Sequence, residues 1–250
     1  MSGLSGLKNI QVIILGLCIA LATVFSTVIL SKGMLQLKKF SQEVIDITGS
    51  AEKMITSDQV VWQARFSRRS REMITAFDLL KRDAVTVKEY LIAKGIPEKD
   101  IIIPQTETLV LYKKNEKGGD TNDIEAYILT QGIEVRSADV SKVTEVSRQS
   151  TELIEKGLEF ISQSPQYFYT KLAELKLEML AQATRDAKNR AEQMAQSTGT
   201  RIGVMRSANM GVFQITPSNS VEVSDYGIND TTSLEKKVTA VVHVTFAIGQ

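Results

Sequence analysis

The most pronounced feature of the sequence is a long uncharged segment near its N-terminus. From Ile10 to Leu30 the chain runs for 21 residues without a charged side chain, and Lys8 and Lys32 stand just outside its two ends. At 1.5 Å per residue, a helix of this length crosses the roughly 30 Å hydrocarbon layer of a membrane. The flanking lysines can extend their ammonium groups to the headgroups. The pattern therefore predicts one transmembrane helix over residues 10–31.

Three interpretations of this segment remain open: an uncleaved anchor, a cleaved signal peptide and a lipoprotein signal. Ala-Leu-Ala at 20–22 has the form of a cleavage site, but the apolar run continues to Leu30. Leu-Gly-Leu-Cys at 15–18 is similar to a lipoprotein motif, although the bulky Leu17 replaces the usual small residue. The unbroken run favours a signal-anchor that is retained. Lysines on both sides leave the orientation undecided by charge.

Beyond a linker predicted at residues 32–42, the apolar positions repeat with two different periods. A period of two predicts strands, and a period of three to four predicts amphipathic helices. In the strand Gln59–Ser67, for example, Val60, Trp62, Ala64 and Phe66 share one face. The other predicted strands are Glu43–Thr48, Ile101–Tyr112, Ile124–Val135, Arg201–Phe213 and Lys237–Ile248, with short candidates at Leu158–Ile161 and Tyr167–Tyr169; the helices are 72–94, Asp139–Lys156 and Lys171–Ser197.

This order of elements predicts the α+β class, a mixed or antiparallel sheet packed against amphipathic helices and preceded by one N-terminal transmembrane helix. We expect Gly49-Ser50 to form a turn after the first strand, and Lys113–Asp123 to connect a hairpin. The polar segment Thr216–Glu235 is expected to be a long exposed loop. Each helix is followed by a glycine that can adopt a positive φ, namely Gly95, Gly157 and Gly199.

The helix Lys171–Ser197 carries an apolar stripe with little side-chain volume at its centre. Small side chains allow the helix to approach a neighbouring element closely. The members of the stripe are Leu172, Leu175, Met179, Ala183, Ala187, Ala191 and Met194.

Composition places the rest of the chain among ordinary globular domains. Hydrophobic residues make up 43% and charged residues 24% of the sequence, which excludes disordered and collagen-like classes. Four of the 30 basic residues precede residue 40, so residues 40–250 contain 26 basic and 29 acidic side chains. A mildly acidic domain lacks the electrostatic footprint of a nucleic-acid-binding protein. The only cysteine, Cys18, lies in the apolar run, so the chain cannot form an intrachain disulfide.

Candidate catalytic and metal-binding residues are few. The only histidine, His243, has no spaced cluster of His, Asp or Glu beside it. The sequence has no G-x-S-x-G motif, and Gly118-Gly119 lacks the Lys-Ser/Thr pair of a phosphate loop. Asp120, Asn122 and Asp123 lack the invariant Gly and terminal Glu of a calcium loop. We therefore predict no catalytic residue, no cofactor and no metal ligand, and we expect that the protein is not an enzyme.

Some features leave weaker alternatives open. The carboxylates of Asp58 and Asp100 are candidates for a hydrolase, and a cavity between sheet and helices would suit a small-molecule-binding module. The aromatic run Tyr167–Tyr169 is a candidate contact patch. Asn229-Asp230-Thr231 matches a glycosylation sequon.

Three stretches of the sequence resemble the SIMPL-domain family, which includes bacterial periplasmic immunogenic and oxidative-stress-defence proteins. They are VIDITGSAEKMITSDQV at 44–60, YLIAKGIPEKDI at 90–101 with the strand end LVLY at 109–112, and EMLAQATRDAKNRAEQMAQSTGTRIG at 178–203. Family members often have Pro-Asp where this chain has Ser57-Asp58. The resemblance extends over about residues 43–248. It implies an α+β domain outside the cytoplasm, with no agreed reaction and with large homo-oligomers among some relatives.

The predicted organisation is a cytoplasmic N-terminus at residues 1–9, a transmembrane anchor at 10–31, a linker at 32–42 and a SIMPL-like α+β domain at 43–250. We expect a single-pass protein of the inner or cytoplasmic membrane, with its C-terminal domain periplasmic or extracellular. Its expected partners are the membrane and further copies of itself, and not nucleic acid. Self-assembly or partner contacts would then be its non-catalytic mode of action, with a part in envelope stress tolerance implied by the resemblance alone. The strands Glu43–Thr48 and Lys237–Ile248 are candidate sheet edges for such assembly.

The uncharged run predicts the behaviour of the chain towards membranes. Full-length protein should sediment with membranes and resist carbonate extraction, because about 20 apolar residues stay in the hydrocarbon layer. Residues 40–250 expressed alone, the matched control, should be soluble. Carbonate release of a full-length chain with an intact N-terminus would show that the anchor is wrong.

Overall fold

The computed structural model describes the backbone of residues 4–249 and the side chains within residues 14–35 and 43–249. It confirms the predicted α+β class. The helices are α1 (Leu4–Gln42), α2 (Met73–Ala93), α3 (Val140–Gln149), α4 (Glu152–Glu155) and α5 (Leu172–Ser197). The strands are β1 (Val44–Thr56), β2 (Gln59–Ser70), β3 (Ile101–Ile102), β4 (Glu107–Lys114), β5 (Asp120–Ser137), β6 (Glu159–Ser162), β7 (Gln166–Phe168), β8 (Arg201–Met210), β9 (Gln214–Pro217), β10 (Ile228–Asn229) and β11 (Glu235–Gly249).

Helix α1 contains the predicted membrane segment. Its part Ile14–Leu35 has a mean hydropathy of 2.4 and no buried side chain, so it is long and apolar enough to cross a membrane. The hydroxyls of Thr23 and Thr27 donate to the carbonyls of Ala20 and Thr23, which satisfies these polar groups within the helix. The helix also includes residues 32–42, for which we predicted a linker.

By its contacts the chain divides into two units. The first contains the residues up to 49, 184–210 and those from 242 onward, and the second contains 50–183 and 211–241. Three of the four boundaries between the units fall within β1, α5 and β11, and the fourth follows the end of β8.

In the second unit, an antiparallel sheet forms around the central strand β2. This strand pairs with β5 on one side and with β6 and β7 on the other, and β3 and β4 pair with β5. Val60, Trp62, Ala64 and Phe66 alternate along β2 and are buried, as the period of two predicts. Helices α2 and α3 contact β2 and β5 and contribute Leu80, Val87, Leu91, Val143 and Val146 to the same hydrophobic core.

A charged pair fastens helix α2 to the central strand. The guanidinium of Arg68 on β2 donates from Nε and Nη2 to the two carboxylate oxygens of Asp83, at 2.5 and 2.9 Å. Nη2 also donates to the Gly157 carbonyl at 2.9 Å, in the turn between α4 and β6. The hydrogen bonds to Asp83 raise the pKa of Arg68 above its ordinary value, against a smaller opposing effect of burial. The ion pair is bidentate and partly shielded from water. Together with the bond to Gly157, it joins β2, α2 and the turn before β6.

In the first unit, β11 lies between two strands. Its residues 242–249 pair antiparallel with β8, while the Ile248 amide donates to the Glu43 carbonyl on the side of β1. The prediction that β11 is a sheet edge is therefore wrong, and the prediction for β1 is confirmed. The alternation along β11 looks alike in an edge strand and in a central strand, because it reports the faces of the sheet and not its edges. In the second unit, residues 236–239 of β11 pair with β9, and β10 pairs with β9 in parallel.

The predicted turn at Gly49-Ser50 is wrong, because β1 continues through it to Thr56. The chain reverses instead at Ser57 and Asp58. The Asp58 carboxylate accepts hydrogen bonds from the amide and hydroxyl of Thr170, both at 2.7 Å, and the Ser57 amide donates to the Leu234 carbonyl. Contacts with distant segments therefore hold this turn.

Other elements differ from the prediction at their boundaries. The strand predicted at Ile101–Tyr112 is interrupted between β3 and β4, around Pro104, since proline has no amide hydrogen to donate. The helix predicted at Asp139–Lys156 is divided into α3 and α4. The loop predicted at Thr216–Glu235 also contains the end of β9 and the short strand β10. By contrast, the three glycines that follow helices have φ of +89°, +80° and +74°, as predicted.

The small-residue stripe of α5 is buried. Leu175, Met179, Ala183, Ala187 and Ala191 are at most 4% exposed. Met194 is 53% exposed, and Ala195 takes the buried position instead. An α-helix has 3.6 residues per turn. The residue four positions after Ala191 therefore lies closer to the buried stripe than the residue three positions after it.

Replacing a buried alanine of this stripe by arginine should destabilise the protein strongly. Ala187→Arg places a long charged side chain where the exposed fraction is 0%, and we expect a loss of about 3 kcal/mol or more in the free energy of unfolding. Ala181→Arg on the exposed side of α5 is the matched control and should change it by about 0.5 kcal/mol or less. Urea unfolding of residues 40–250 measures both, and equal midpoints would contradict the burial of Ala187.

Candidate functional site

The single histidine is bound to a neighbouring strand. His243 lies on the exposed face of β11, and its Nδ1 is 3.0 Å from the hydroxyl oxygen of Thr48 on β1. This contact joins two strands of the first unit. Within residues 14–35 and 43–249, no group of three or more His, Cys, Asp and Glu side chains is arranged to hold a metal ion.

The two carboxylates considered for hydrolysis bind to different segments. Asp58 holds the start of the segment after β7 through Thr170, as described above. Asp100 accepts a hydrogen bond of 2.7 Å from the Ser137 hydroxyl at the end of β5. The first contact joins two connecting segments of the second unit, and the second fastens a loop to strand β5.

The hairpin turn between β4 and β5 is organised by an asparagine. The Asn115 side-chain oxygen accepts from the amides of Lys117 and Gly119, at 3.0 and 2.9 Å, which closes the turn. Asp120, Asn122 and Asp123 are exposed. Asp123 lies 3.8 Å from the Lys113 ammonium, a long ion pair between exposed groups.

A buried lysine in the second unit was not identified from the sequence. Lys236 on β11 is 2% exposed, and its Nζ donates to the carbonyls of Tyr167, at 2.9 Å, and of Asp230. Burial lowers the pKa of Lys236, and the negative charge of Asp230 partly opposes this shift. The position could have been found, because Lys236 is in phase with the buried residues Val238 and Ala240 of the same strand.

A small cavity of about 80 Å³ lies beside Lys236. Its walls include the predicted aromatic run at 167–169, which is half-buried, together with Ile55, Leu172 and Ile215. The volume suits a few water molecules and is far below the roughly 300 Å³ or more of a typical ligand pocket. Lys236 therefore acts here as a clamp between β7, the segment around Asp230 and β11.

Each unit also has a larger depression on its surface. In the first unit a depression of about 570 Å³ is lined by Glu192, Gln196, Gly199, Thr200, Arg201 and Ile202. In the second unit a depression of about 240 Å³ lies over β2 and β5 and includes Gln63, Arg65, Gln105, Glu107 and Glu134. Both depressions have many polar groups, in contrast to the apolar lining of most small-molecule sites.

The most exposed regular element outside helix α1 is strand β8 in the first unit. Nine of its ten residues are exposed, and the remaining one, Ile202, is half-buried. Val204, Met205 and Met210 are 66%, 54% and 56% exposed. Among the described residues β8 pairs only with β11. Because no other strand of the described residues pairs with its opposite edge, β8 is a template for another strand.

Further apolar side chains are exposed on the loop that follows β9 in the second unit. Val221, Val223 and Tyr226 are 90%, 76% and 97% exposed. Such side chains on a connecting segment are typical of contact surfaces when they occur together. The polar composition of this loop predicted that it is exposed. It did not predict that these three apolar side chains would be exposed together.

Comparison with known protein families identifies one match. The sequence model of the SIMPL family, described as a protein of unknown function (DUF541), matches residues 45–246. This range covers β1 to β11 and confirms the resemblance found in the sequence. No curated protein matches the chain.

The clamp formed by Lys236 can be tested by substitution. Lys236→Met keeps the apolar stem but removes the donor from two carbonyls, and we expect it to lower the free energy of unfolding by about 2 kcal/mol. Lys237→Met on the opposite face of β11 is the matched control and should change stability by about 0.5 kcal/mol or less. Urea unfolding monitored by circular dichroism measures the difference. Equal stability of the two variants would exclude the clamp.

Proposed function

This chain belongs to the SIMPL family, and from that membership we propose that it is a membrane-anchored protein whose α+β domain acts outside the cytoplasm. The domain would work without catalysis, by assembling with further copies of the chain or with partner proteins. A part in envelope stress tolerance belongs to the same proposal and rests on the resemblance to stress-defence proteins of the family.

The anchor and its orientation have different support. Ile14–Leu35 has the length and apolarity of a membrane-crossing helix. An uncleaved anchor is favoured because the apolar run continues beyond the cleavage-like sequence at 20–22. The extracytoplasmic position of the domain is inferred from the periplasmic members of the family.

Strand β8 is the single observation that carries the assembly proposal. Natural proteins generally keep edge strands short, covered or highly charged, because exposed edges recruit other strands. This strand has ten residues, only two charged side chains and three exposed large apolar side chains. An additional strand at this edge would bury those side chains and extend the main-chain hydrogen bonding of the sheet.

The proposed absence of catalysis is supported by the engagement of the candidate groups. His243 contacts Thr48, Asp58 holds Thr170, and Asp100 accepts from Ser137. Each of these polar side chains stabilises the connection between two segments. These contacts favour the non-catalytic proposal over the hydrolase alternative.

A small-molecule-binding module is the second candidate function. The depression over β2 and β5 favours it, because Gln63, Arg65 and Glu134 could orient a polar ligand there. Its polar and shallow character supports this alternative less strongly than β8 supports assembly.

Light scattering on residues 40–250 tests the assembly proposal. We expect a molar mass above that of one chain at micromolar concentration, rising when the concentration is raised tenfold. The increase reflects an association that membrane anchoring would strengthen by confining the copies to a plane. A monomeric mass that persists over the tenfold range would remove self-association from the proposed function of the soluble domain.

A further inference from the structure

The large depression of the first unit combines charges of both signs on a polar surface. Its volume of about 570 Å³ lies within the roughly 300–1,000 Å³ that ligand pockets occupy. Glu192 contributes a carboxylate from α5, and Arg201 contributes a guanidinium from the start of β8. We call it the first-unit depression. A ligand that complements it carries a negative and a positive group close together.

The negative side of the first-unit depression extends beyond one carboxylate. Gln196 and Gly199 line it at the C-terminal end of α5, where the backbone carbonyls give a helix a partial negative charge. The Glu192 carboxylate lies 3.6 Å from the Lys188 ammonium, in a long ion pair of partly exposed side chains. Such pairs contribute little to stability, so Glu192 can bind another cation at small cost. This side therefore suits the cationic group of a ligand.

The chain between helix α5 and strand β8 is fixed by hydrogen bonds. The Ala195 carbonyl accepts from the Thr200 amide at 2.9 Å, from the Thr200 hydroxyl at 3.2 Å and from the Thr198 hydroxyl at 2.9 Å. Gly199 completes the turn with a φ of +74°. Because β8 begins at Arg201, directly after this turn, the two charged sides of the depression are held in place before a ligand binds.

The first-unit depression lies at the end of the sheet that is joined to helix α1. Arg201 pairs with Gly249 of β11, and the neighbouring Ile248 amide donates to the Glu43 carbonyl. Glu43 directly follows the last residue of α1. Two strand spacings, about 10 Å, separate the positions of Arg201 and Glu43 across the sheet. The depression is therefore close to the point where the chain leaves the helix.

Helix α1 sets the distance of this point from a membrane. The apolar part of the helix ends at Leu35, and the seven further residues to Gln42 advance by about 10 Å at 1.5 Å each. The polar headgroup layer on each side of a bilayer is about 5–8 Å thick. When α1 is retained as an anchor, the first-unit depression is consequently held within reach of the headgroups.

We propose that the first-unit depression binds the headgroup of a phospholipid that carries a phosphate and a primary ammonium. The inference rests on the anchoring part of the proposed function and gives the anchored domain a lipid ligand. The phosphate would accept hydrogen bonds from the Arg201 guanidinium, and the ammonium would donate to the Glu192 carboxylate. Contact with the headgroup would orient the domain on the membrane surface.

The lining of the depression discriminates between headgroups. A quaternary ammonium has no hydrogen to donate to Glu192, and sites for such groups use aromatic side chains. Among the described residues that line the depression, none is aromatic. An anionic headgroup without an amine would place a negative charge beside Glu192, which opposes its binding. The mixed charge therefore favours a zwitterion with a primary amine.

Lipid titration of the full-length chain in detergent micelles, followed by native mass spectrometry, tests this inference. Phosphatidylethanolamine should bind at least about tenfold more tightly than phosphatidylcholine or phosphatidylglycerol, because only its headgroup makes both charge-assisted contacts. Phosphoethanolamine in solution, the matching headgroup without acyl chains, should not displace it at equal concentration.

Three variants assign the preference to the depression. Arg201→Gln should weaken the binding of phosphatidylethanolamine about tenfold, because the phosphate loses its charged donor. Glu192→Gln should remove the discrimination against phosphatidylglycerol, since no carboxylate then repels that headgroup. Arg190→Gln is the matched control, because Arg190 lies two positions before Glu192 and hence on the opposite side of α5. It should leave all three affinities unchanged.

The outcomes separate this inference from the proposed function. Equal affinities for the three lipids, or a preference that survives both Arg201→Gln and Glu192→Gln, would overturn the headgroup site while the anchor stands. Tighter binding of phosphatidylglycerol would indicate simple attraction to basic residues and would also overturn it. Displacement by phosphoethanolamine would assign the depression to a soluble ligand and overturn the lipid assignment. Release of the full-length chain by carbonate would instead overturn the anchor, and with it the premise of this inference.

Discussion

Strand β11 hydrogen-bonds to neighbours on both of its sides, and much of the structure follows from this constraint. In the first unit it lies between β1 and β8, so these two strands become the edges. Its buried residues, from Val238 to Phe246, alternate with half-buried residues and the exposed His243. The same phase carries Lys236 into the interior of the second unit. The pairing of β11 therefore decides which strands become edges, and its alternation decides which charge is buried.

Charged and polar side chains serve mainly to hold segments together. Arg68 and Asp83 join a helix to the central strand β2, and Lys236 binds the carbonyls of two connecting segments. Asp58 and Asp100 hold loops to the same unit. Short elements such as β7 and β10 form few main-chain bonds of their own, so these side chains supply the additional attachments that they need. This use of the charged groups agrees with a protein that acts through its surfaces.

In the proposed assembly, a membrane anchor and an exposed strand edge would reinforce each other. Copies held in one membrane are confined to a plane, which raises their local concentration and favours contacts that are weak in solution. An exposed edge in such a crowded plane also risks indiscriminate pairing.

The sequence alone determined the features that depend on local chemistry. The uncharged run before Lys32 predicted a helix able to cross a membrane, and the alternation of Val60, Trp62, Ala64 and Phe66 predicted a strand with one buried face. Glycines that accept a positive φ marked the ends of three helices. Each of these signals operates over a few neighbouring residues, where periodicity and backbone preference suffice.

Tertiary structure decided what depends on pairing between distant segments. Gly49 lies inside β1 and not in a turn, because the chain reverses where Thr170 and Leu234 bind Asp58 and Ser57. Strand β11 was expected at an edge, although it is central, and the exposure of β8 was not foreseen. A period of two shows which side chains share a face, but the neighbours of a strand are chosen by contacts far apart in the chain. For that reason the exposed edge strand β8 became visible only once the strands had been placed.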